Sequence, residues 1–227
     1  MTNPDYVLLD AAGLNLQAVF SFDRLSAESR KGLDPESRYA QLILIGNGGR
    51  SLWERIRAEG FVSSDPVNDF SVRRVEAWLA AQAPGVAYEI AYPGDRLIGL
   101  QSLGELAGWH FPSPFMVGIN AQWGPWFAYR AVVLANTNFE TVLPQRGVSP
   151  CDSCRNKPCV DACPGVAMAD GRFDLARCVA YRKQPNSACR ESCLARLACP
   201  VQEEHRYCTE QIQHAYSISM RMIERYY

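Results

Sequence analysis

Four cysteines and a proline stand close together in the stretch Cys151-Asp-Ser-Cys154-Arg-Asn-Lys-Pro-Cys159-Val-Asp-Ala-Cys163-Pro164, which has the spacing C-x2-C-x4-C-x3-C-P. All nine cysteines of the 227-residue chain lie between Cys151 and Cys208. Closely spaced thiolates let one loop wrap around a metal or cluster. An odd number of cysteines behind an N-terminus without a secretory signal fits such ligation better than disulfides, because cytosolic thiols stay reduced.

The proline after Cys163 predicts a pair of iron-sulfur clusters. In bacterial ferredoxins the cysteine before the proline ligates a different 4Fe-4S cluster from the other three cysteines of its run. The rest of the chain supplies a second cysteine-proline pair, Cys199-Pro200. The first predicted cluster is ligated by Cys151, Cys154, Cys159 and Cys199. The second predicted cluster is ligated by Cys163, Cys178, Cys189 and Cys193.

Other interpretations of the cysteine pattern stay open. The spacings are looser than those of the usual ferredoxin run, so Cys208 can exchange with one of the eight ligands. Otherwise we expect Cys208 to be a buried small side chain. Paired four-thiolate zinc sites also use C-x2-C knuckles, but they do not need two cysteine-proline pairs. Two adjacent clusters form a path for single electrons, so the pattern favours electron transfer.

Composition and charge exclude several classes of protein. Lysine and arginine total 23 against 24 acidic residues, giving a net charge of -1, so nucleic acid is a disfavoured partner. No apolar run approaches the roughly 18 residues of a membrane helix. Neither G-x-G-x-x-G nor a hydrolase signature occurs. We therefore expect a cytoplasmic protein without a membrane partner.

A cysteine-free part precedes the cysteine-rich part, with a break at Leu143-Pro-Gln-Arg-Gly-Val-Ser-Pro150. The predicted domains are residues 1–146 and 147–227. Apolar patterning predicts strands at 14–22, 41–45 and 87–92, and a hairpin of 115–119 with 127–135. Helices are predicted at 51–59 with Ser51 as its cap, from Asp65 to about Ala81, at 97–108, and from Thr209 to the end of the chain. Strands and long helices do not alternate regularly, so the fold class is α+β.

Residues 85 to 200 resemble two known families. The stretch Gln101-Ser-Leu-Gly-Glu-Leu-Ala-Gly108 and the stretch Gly124-Pro-Trp-Phe-Ala-Tyr-Arg-Ala-Val-Val-Leu134 are similar to the cobalamin-processing (MMACHC, or CblC-like) family. The turn Ala107-Gly-Trp109, the ferredoxin-type cysteines and Arg177-Cys178-Val-Ala-Tyr181 resemble epoxyqueuosine reductase. The resemblance implies a nitroreductase-like cobalamin-binding sandwich followed by a bacterial-ferredoxin-type module with two 4Fe-4S clusters.

The resemblance also implies a function and a binding site. Electrons from an external flavodoxin or reductase would pass through the clusters to cobalamin, reducing cobalt or removing its upper ligand. The residues that would border the corrin are Gly124, Trp126, Phe127 and Arg130. Two alternatives remain: an epoxyqueuosine reductase-like enzyme of tRNA modification, and a ferredoxin-type electron carrier without cobalamin.

Three positions depart from the family patterns. His110 follows Gly108-Trp109, where epoxyqueuosine reductase continues toward a lysine. Asp95 lies near, but not in register with, the catalytic aspartate of that enzyme, and Glu105 stands where the cobalamin-processing family has histidine. The sequence therefore assigns no catalytic residue, and His110 is a further candidate for contact with the corrin.

Overall fold

The computed structural model describes residues 1–141 and 147–227, and the chain forms two compact units. The sheet unit comprises Met1–Gly108 and the segment that begins at Phe127. The cysteine unit comprises Trp109–Trp126 and Gly147–Tyr227. The segment Trp109–Trp126, which the sequence analysis assigns to the first domain, thus clusters with the cysteines. Residues 143–146, half of the break predicted at 143–150, lie outside the described residues.

The sheet unit is built on four antiparallel strands in the order β1-β2-β4-β3. The strands are β1 Leu16–Ser21, β2 Gln41–Gly48, β3 Tyr88–Tyr92 and β4 Phe127–Ala135. The central strand β2 is buried along its whole length, because Leu42 to Ile45 form a continuous apolar run of the kind that both faces of a covered sheet require. The mixed α and β architecture expected from the sequence is confirmed.

Arg130 occupies an irregularity of the sheet. Ile45 pairs with Ala131 while the next residue, Gly46, pairs with Tyr129, so Arg130 is the extra residue of a bulge in β4. A bulge bends its strand and changes the direction of the extra side chain. The side chain of Arg130 therefore does not follow the regular alternation of side-chain directions along β4.

Among the described residues, five α-helices belong to the sheet unit: α1 Val7–Ala11, α2 Ala27–Leu33, α3 Ser51–Ala58, α4 Pro66–Gln82 and α5 Leu100–Leu106. The start predicted for α4 is confirmed, since the Asp65 carboxylate accepts a hydrogen bond from the Asn68 amide at 3.1 Å. The cap predicted for α3 is wrong by one position. Ser51 is its first helical residue, and the Arg50 side chain at the cap position does not cap the helix.

The predicted hairpin of 115–119 with 127–135 is wrong. Strand β4 pairs with β2 and β3, whereas residues 115–119 contain only part of an isolated bridge between Phe111 and Ile119. The Asn120 side chain accepts hydrogen bonds from two backbone amides, those of Gln122 and Trp123, and so closes a local turn. Phe115 and Ile119 are buried in the cysteine unit instead.

The cysteine unit consists of short helices followed by one long helix. They are α6 Pro150–Ser153, α7 Pro158–Asp161, α8 Leu175–Arg182, α9 Leu194–Leu197 and α10 Thr209–Tyr226. Within its described residues this unit has isolated bridges but no strand, and a ferredoxin-type fold stays a prediction.

The long C-terminal helix predicted from Thr209 is confirmed as α10. Met220 and Ile223 are buried, whereas the side chains of Met222 and Tyr226 are exposed. None of the helices in the described part of the chain has the length and apolar character of a membrane span.

Candidate functional site

The first four predicted thiols interact electrostatically with one another. Burial, with Cys199, Cys151 and Cys154 as neighbours, raises the pKa of Cys159 to about 11. Burial raises the pKa of Cys151, and the proximity of Cys199 and Cys154 adds to this rise. Since each thiolate disfavours ionisation of the next, these side chains form one cluster. We call Cys151, Cys154, Cys159 and Cys199 the first thiol group.

The other four predicted thiols form a second such cluster. Burial, with Cys193, Cys163 and Cys189 as neighbours, raises the pKa of Cys178 to about 11. The pKa of Cys189 is raised by burial and then by Cys193 and Cys163. We call Cys163, Cys178, Cys189 and Cys193 the second thiol group. The two groups have the membership that the sequence analysis assigns to its two clusters, and their ligation of iron stays a prediction.

A cavity of about 290 Å³ opens between the four thiols of the second group. Its other walls are largely apolar, with Met168, Phe173, Val179 and Ile223 among them. Thiol ligands around a space of low polarity are what an iron-sulfur cluster needs, because cluster irons bind thiolates and surrounding burial sets the potential. The residues present therefore fit a 4Fe-4S cluster. In residues 1–141 and 147–227, no group of three His, Cys, Asp or Glu side chains is arranged to hold a single metal ion.

A buried arginine, Arg182, lines the same cavity and was missed by the sequence analysis. Its Nε donates to the carbonyl of Cys189 at 3.0 Å, and another of its nitrogens donates to Ser219 Oγ at 2.9 Å. The guanidinium charge acts to lower the pKa of both Cys178 and Cys189. The only signal in the sequence is its place four residues after Cys178, on the same face of α8.

Tyr216 of α10 lies near the second thiol group. The side chain is partly exposed and forms part of the cavity wall. Burial is the main reason why the pKa of Tyr216 is raised well above its ordinary value, and the neighbouring Arg196 and Cys193 side chains also influence it.

Arg196 lies on α9, in the segment that separates Cys193 from Cys199. Its guanidinium carbon is 4.6 Å from the centre of the Trp126 ring and 5.0 Å from that of Tyr207. It also acts to lower the pKa of Cys199, a member of the first thiol group. The cation–π contacts hold this buried charge in place.

Two of the four residues predicted to border a corrin are used for packing inside the cysteine unit. Trp126 is fully buried, with its ring edge against Tyr207 at a centroid distance of 5.5 Å. Gly124 has a φ of +57°, and a Cβ there would lie 2.2 Å from the carbonyl oxygen of Val201. The indole of Trp126 has no exposed face, and its contact with a corrin stays a prediction. His110 is also buried in this unit.

The other two predicted contacts lie on β4 of the sheet unit. Phe127 is buried, and its ring meets that of Tyr129 edge to face at 5.8 Å. Arg130 is partly exposed, and its Nε donates to the Oδ1 of the buried Asn47 at 2.6 Å. The hydrogen bond to Asn47 fixes the arginine in the bulge, so it can present its charge to a ligand.

Tyr129, beside Arg130, was also missed by the sequence analysis. Its hydroxyl packs so closely on Gly104 of α5 that a Cβ at that position would lie 1.9 Å from it. Burial, with the neighbouring Glu105 carboxylate as a second cause, raises the pKa of Tyr129. Gly104 is required because Tyr129, a residue distant in sequence, packs against it. No local sequence pattern indicates such a requirement.

Comparisons with known proteins agree with this architecture. No protein-family model and no curated protein matches the sequence. A crystal structure of epoxyqueuosine reductase matches with a TM-score of 0.56 and 15% identity over 91% of this chain and 68% of that chain. The same enzyme with an epoxyqueuosine-modified tRNA stem loop matches with a TM-score of 0.56 and 14% identity over 91% and 67% of the two chains.

Two further structures concern vitamin B12. A reductive dehalogenase described with a mechanism for B12-dependent dehalogenation matches with a TM-score of 0.54 and 14% identity over 93% of this chain. This chain spans 33% of the length of that dehalogenase. The B12-trafficking protein CblC of C. elegans, a human MMACHC homologue, matches with a TM-score of 0.49 and 15% identity over 98% of this chain and 95% of that chain. The epoxyqueuosine reductase and dehalogenase matches show a shared fold, and structures of both families that the sequence resembles are among the matches.

Proposed function

We propose that this chain is an iron-sulfur oxidoreductase that passes electrons from two 4Fe-4S clusters to cobalamin and thereby reduces cobalt or removes its upper ligand. The observation that carries the proposal is the cavity lined by all four thiols of the second group. The similarity in fold to two reductases supports an oxidoreductase, and the similarity to a B12-dependent dehalogenase supports cobalamin.

The eight thiols would hold the clusters, four in each group, and the clusters would supply one-electron redox chemistry. Buried thiols with raised pKa values carry protons at neutral pH, so iron binding must displace those protons. The largely apolar walls of the cavity would lower the polarity around a cluster held by the second group. In this proposal the cysteine unit accepts electrons from an external flavodoxin or reductase and delivers them to the corrin.

The proposed cobalamin contacts in the sheet unit centre on Arg130. A guanidinium held by Asn47 can donate to the amide or phosphate oxygens that surround a corrin. Phe127 lies on the same strand and is buried, with its ring edge to face against that of Tyr129. The contribution of this unit is binding and orientation of the cofactor, whereas the organometallic chemistry is that of cobalt.

Anaerobic reconstitution followed by cobalamin titration tests the proposal. We expect a brown protein with about eight iron atoms per chain, four for each cluster, and visible absorption that dithionite bleaches. Hydroxocobalamin should then bind with a change in its spectrum and be reduced by the loaded protein. A colourless, iron-free protein would contradict the proposal. An iron-loaded protein without affinity for cobalamin would instead favour a ferredoxin-type electron carrier.

Epoxyqueuosine reduction is the second candidate function. The matches to that enzyme have TM-scores of 0.56, and one of those structures carries a tRNA stem loop. The net charge of -1 provides no general basic surface for RNA. If the reconstituted protein converts epoxyqueuosine-containing tRNA in the presence of cobalamin and a reductant, epoxyqueuosine reduction becomes the favoured function.

A further inference from the structure

We infer that Arg182 is the positioning residue of the second thiol group, because it fastens the ligand segment around Cys189 to helix α10 and thereby helps that group to retain a cluster. The part of this inference that concerns the cluster rests on the proposed function. The part that concerns the fastening does not, since hydrogen bonds between protein atoms carry it. The inference goes beyond that function by naming the residue that holds the second group together.

Arg182 reaches the second thiol group from the helix that carries one of its ligands. It is the last residue of α8, one turn after Cys178. Its Nε donates to the carbonyl of Cys189 at 3.0 Å, and one of its terminal nitrogens donates to the carbonyl of Arg190 at 3.3 Å. A side chain of the helix that carries Cys178 therefore fixes the backbone that carries Cys189.

The same guanidinium also holds helix α10. The nitrogen that donates to Arg190 also reaches the carbonyl of Tyr216 at 3.3 Å, and the other terminal nitrogen donates to Ser219 Oγ at 2.9 Å. The guanidinium carbon lies 5.3 Å from the centre of the Tyr216 ring. Both Tyr216 and Ser219 line the cavity of the second group. Arg182 thus connects the ligand segments to a helix that forms part of the cavity wall.

The shape of arginine suits this junction, because four acceptors surround one buried charge. Arg182 is only 7% exposed, and burial of an ionised group is costly unless hydrogen bonds replace its water. The planar guanidinium donates from three nitrogens in a fixed fork, so it serves acceptors on both segments at once. Lysine carries the same charge on a single nitrogen and cannot span those positions. We therefore expect the geometry of the side chain, and not its charge alone, to matter.

The fastening bears directly on cluster ligation. Removal of a group that orients metal ligands typically weakens metal affinity about 10- to 100-fold. Arg182 has this relation to Cys189, whose backbone it holds, and to Cys178, which its own helix carries. The four cysteines of the first thiol group receive none of the four hydrogen bonds described above. Loss of Arg182 should therefore weaken retention of the second cluster selectively.

Anaerobic release of iron to a ferrous chelator tests this selectivity on the full chain. The Cys154→Ala background should keep only the second cluster, and the Cys193→Ala background only the first. We expect Arg182→Met to accelerate iron release about tenfold in the Cys154→Ala background and to leave the rate unchanged in the Cys193→Ala background. A general loss of folded stability would accelerate release in both.

Three further variants separate geometry from charge. Arg182→Lys keeps the positive charge, and its release rate should stay closer to that of Arg182→Met than to that of the wild-type residue. Ser219→Ala removes one of the four acceptors, and we expect a smaller acceleration of about threefold. Lys183→Met changes the exposed cation that follows Arg182 and should leave both rates as they are.

Hydrogen–deuterium exchange of the iron-free chain tests the fastening without a cluster. In Arg182→Met we expect the backbone amides of 186–191 and 214–219 to exchange faster than in the wild-type chain, because both segments lose their hydrogen bonds to the guanidinium. Lys183→Met should exchange like the wild-type chain in both segments.

The outcomes separate this inference from the proposed function. A wild-type chain that binds no iron contradicts the proposed function, and the exchange experiment still decides whether Arg182 fastens the two segments. The inference is wrong if exchange is unchanged in Arg182→Met, if iron release accelerates equally in both backgrounds, or if Arg182→Lys behaves like the wild-type residue. If Arg182→Met does not fold, wild-type release rates in Ser219→Ala and Arg182→Lys overturn the inference.

Discussion

Each thiol group offers four cysteine sulfurs as ligands, but the other side chains around the two groups differ. Cys159 and Cys199 of the first group are buried in an apolar cluster with Phe115 and Ile119, against which Cys163 and Cys193 of the second group also pack. The second group faces a cavity that is also lined by a buried arginine and a tyrosine. The comparison teaches that ligand identity alone does not determine the redox behaviour of a site, because the neighbouring helices supply the charges and hydrogen bonds.

The largest expected effect comes from removing one ligand from either group. Cys154→Ala and Cys193→Ala should each lose about four of about eight iron atoms per chain, because each group is expected to hold its own cluster. Iron analysis after anaerobic reconstitution measures this loss, and circular dichroism checks that the sheet unit stays folded. If either variant loses all of its iron, the two groups do not bind iron independently, and the contrast drawn between them is wrong.

A glycine substitution should disturb the first group selectively. In Gly124→Ala the new Cβ would collide with the carbonyl of Val201, whose backbone acts to lower the pKa of Cys199. We expect a loss of stability of about 1–3 kcal/mol, typical of overpacking, together with weaker retention of the first cluster. Thermal denaturation and iron counting measure both effects.

The matched control for this variant is Gly171→Ala. Gly171 also has a positive φ, of +72°, but a Cβ there meets no atom within 4 Å. The Gly171→Ala variant therefore measures the effect of backbone strain alone, without a steric collision. Equal stability losses for the two glycines would show that contact with Val201 does not matter.

Arg130→Ala should affect neither thiol group but should weaken cobalamin binding. We expect the Kd to rise about tenfold, which corresponds to about 1.4 kcal/mol, because one charged hydrogen-bond donor is removed. Arg38→Ala, in which an exposed ion-paired arginine of the same unit is changed, is the control. Titration with hydroxocobalamin measures the Kd, and an unchanged Kd with full iron content would exclude Arg130 from the binding site.

The smallest expected difference between the groups is in the iron-free protein. Both Cys159 and Cys178 have a pKa raised from 9.0 to about 11, so each is almost entirely a protonated thiol at neutral pH. Their alkylation by iodoacetamide should therefore be slow at pH 7 and should accelerate as the pH rises toward 11, since the thiolate is the reactive form. Mass-spectrometric mapping against pH measures these rates, and fast modification of one thiol at pH 7 would show that the groups differ before iron binds.

Much of the fold and of the thiol grouping follows from local sequence signals. Asp65 followed by Pro66 marks the start of α4, and the apolar run of β2 marks a buried strand. The two cysteine-proline pairs suffice to divide eight cysteines into two sets, because a ferredoxin-type run exchanges its last ligand. These signals act over a few residues or follow a known spacing.

The features that the sequence did not predict depend on contacts between distant segments. The segment around Phe115 has the apolar character of a strand, but it packs against the cysteine-bearing helices instead of pairing with β4. Trp126 occurs in a stretch that resembles a cofactor-binding family, yet its ring is buried under Arg196. Tyr216 lines the same cavity as Cys193 from a helix far along the chain, and no spacing rule encodes that meeting.

Helix α10 contributes Tyr216, Ser219 and Ile223 to the wall of the second cavity. Any cluster held there would be shielded from dioxygen by this helix, and local unfolding of the helix would open the wall of the cavity. Air exposure should accordingly destroy that cluster sooner in chains whose final helix is loosened, while its partner survives longer.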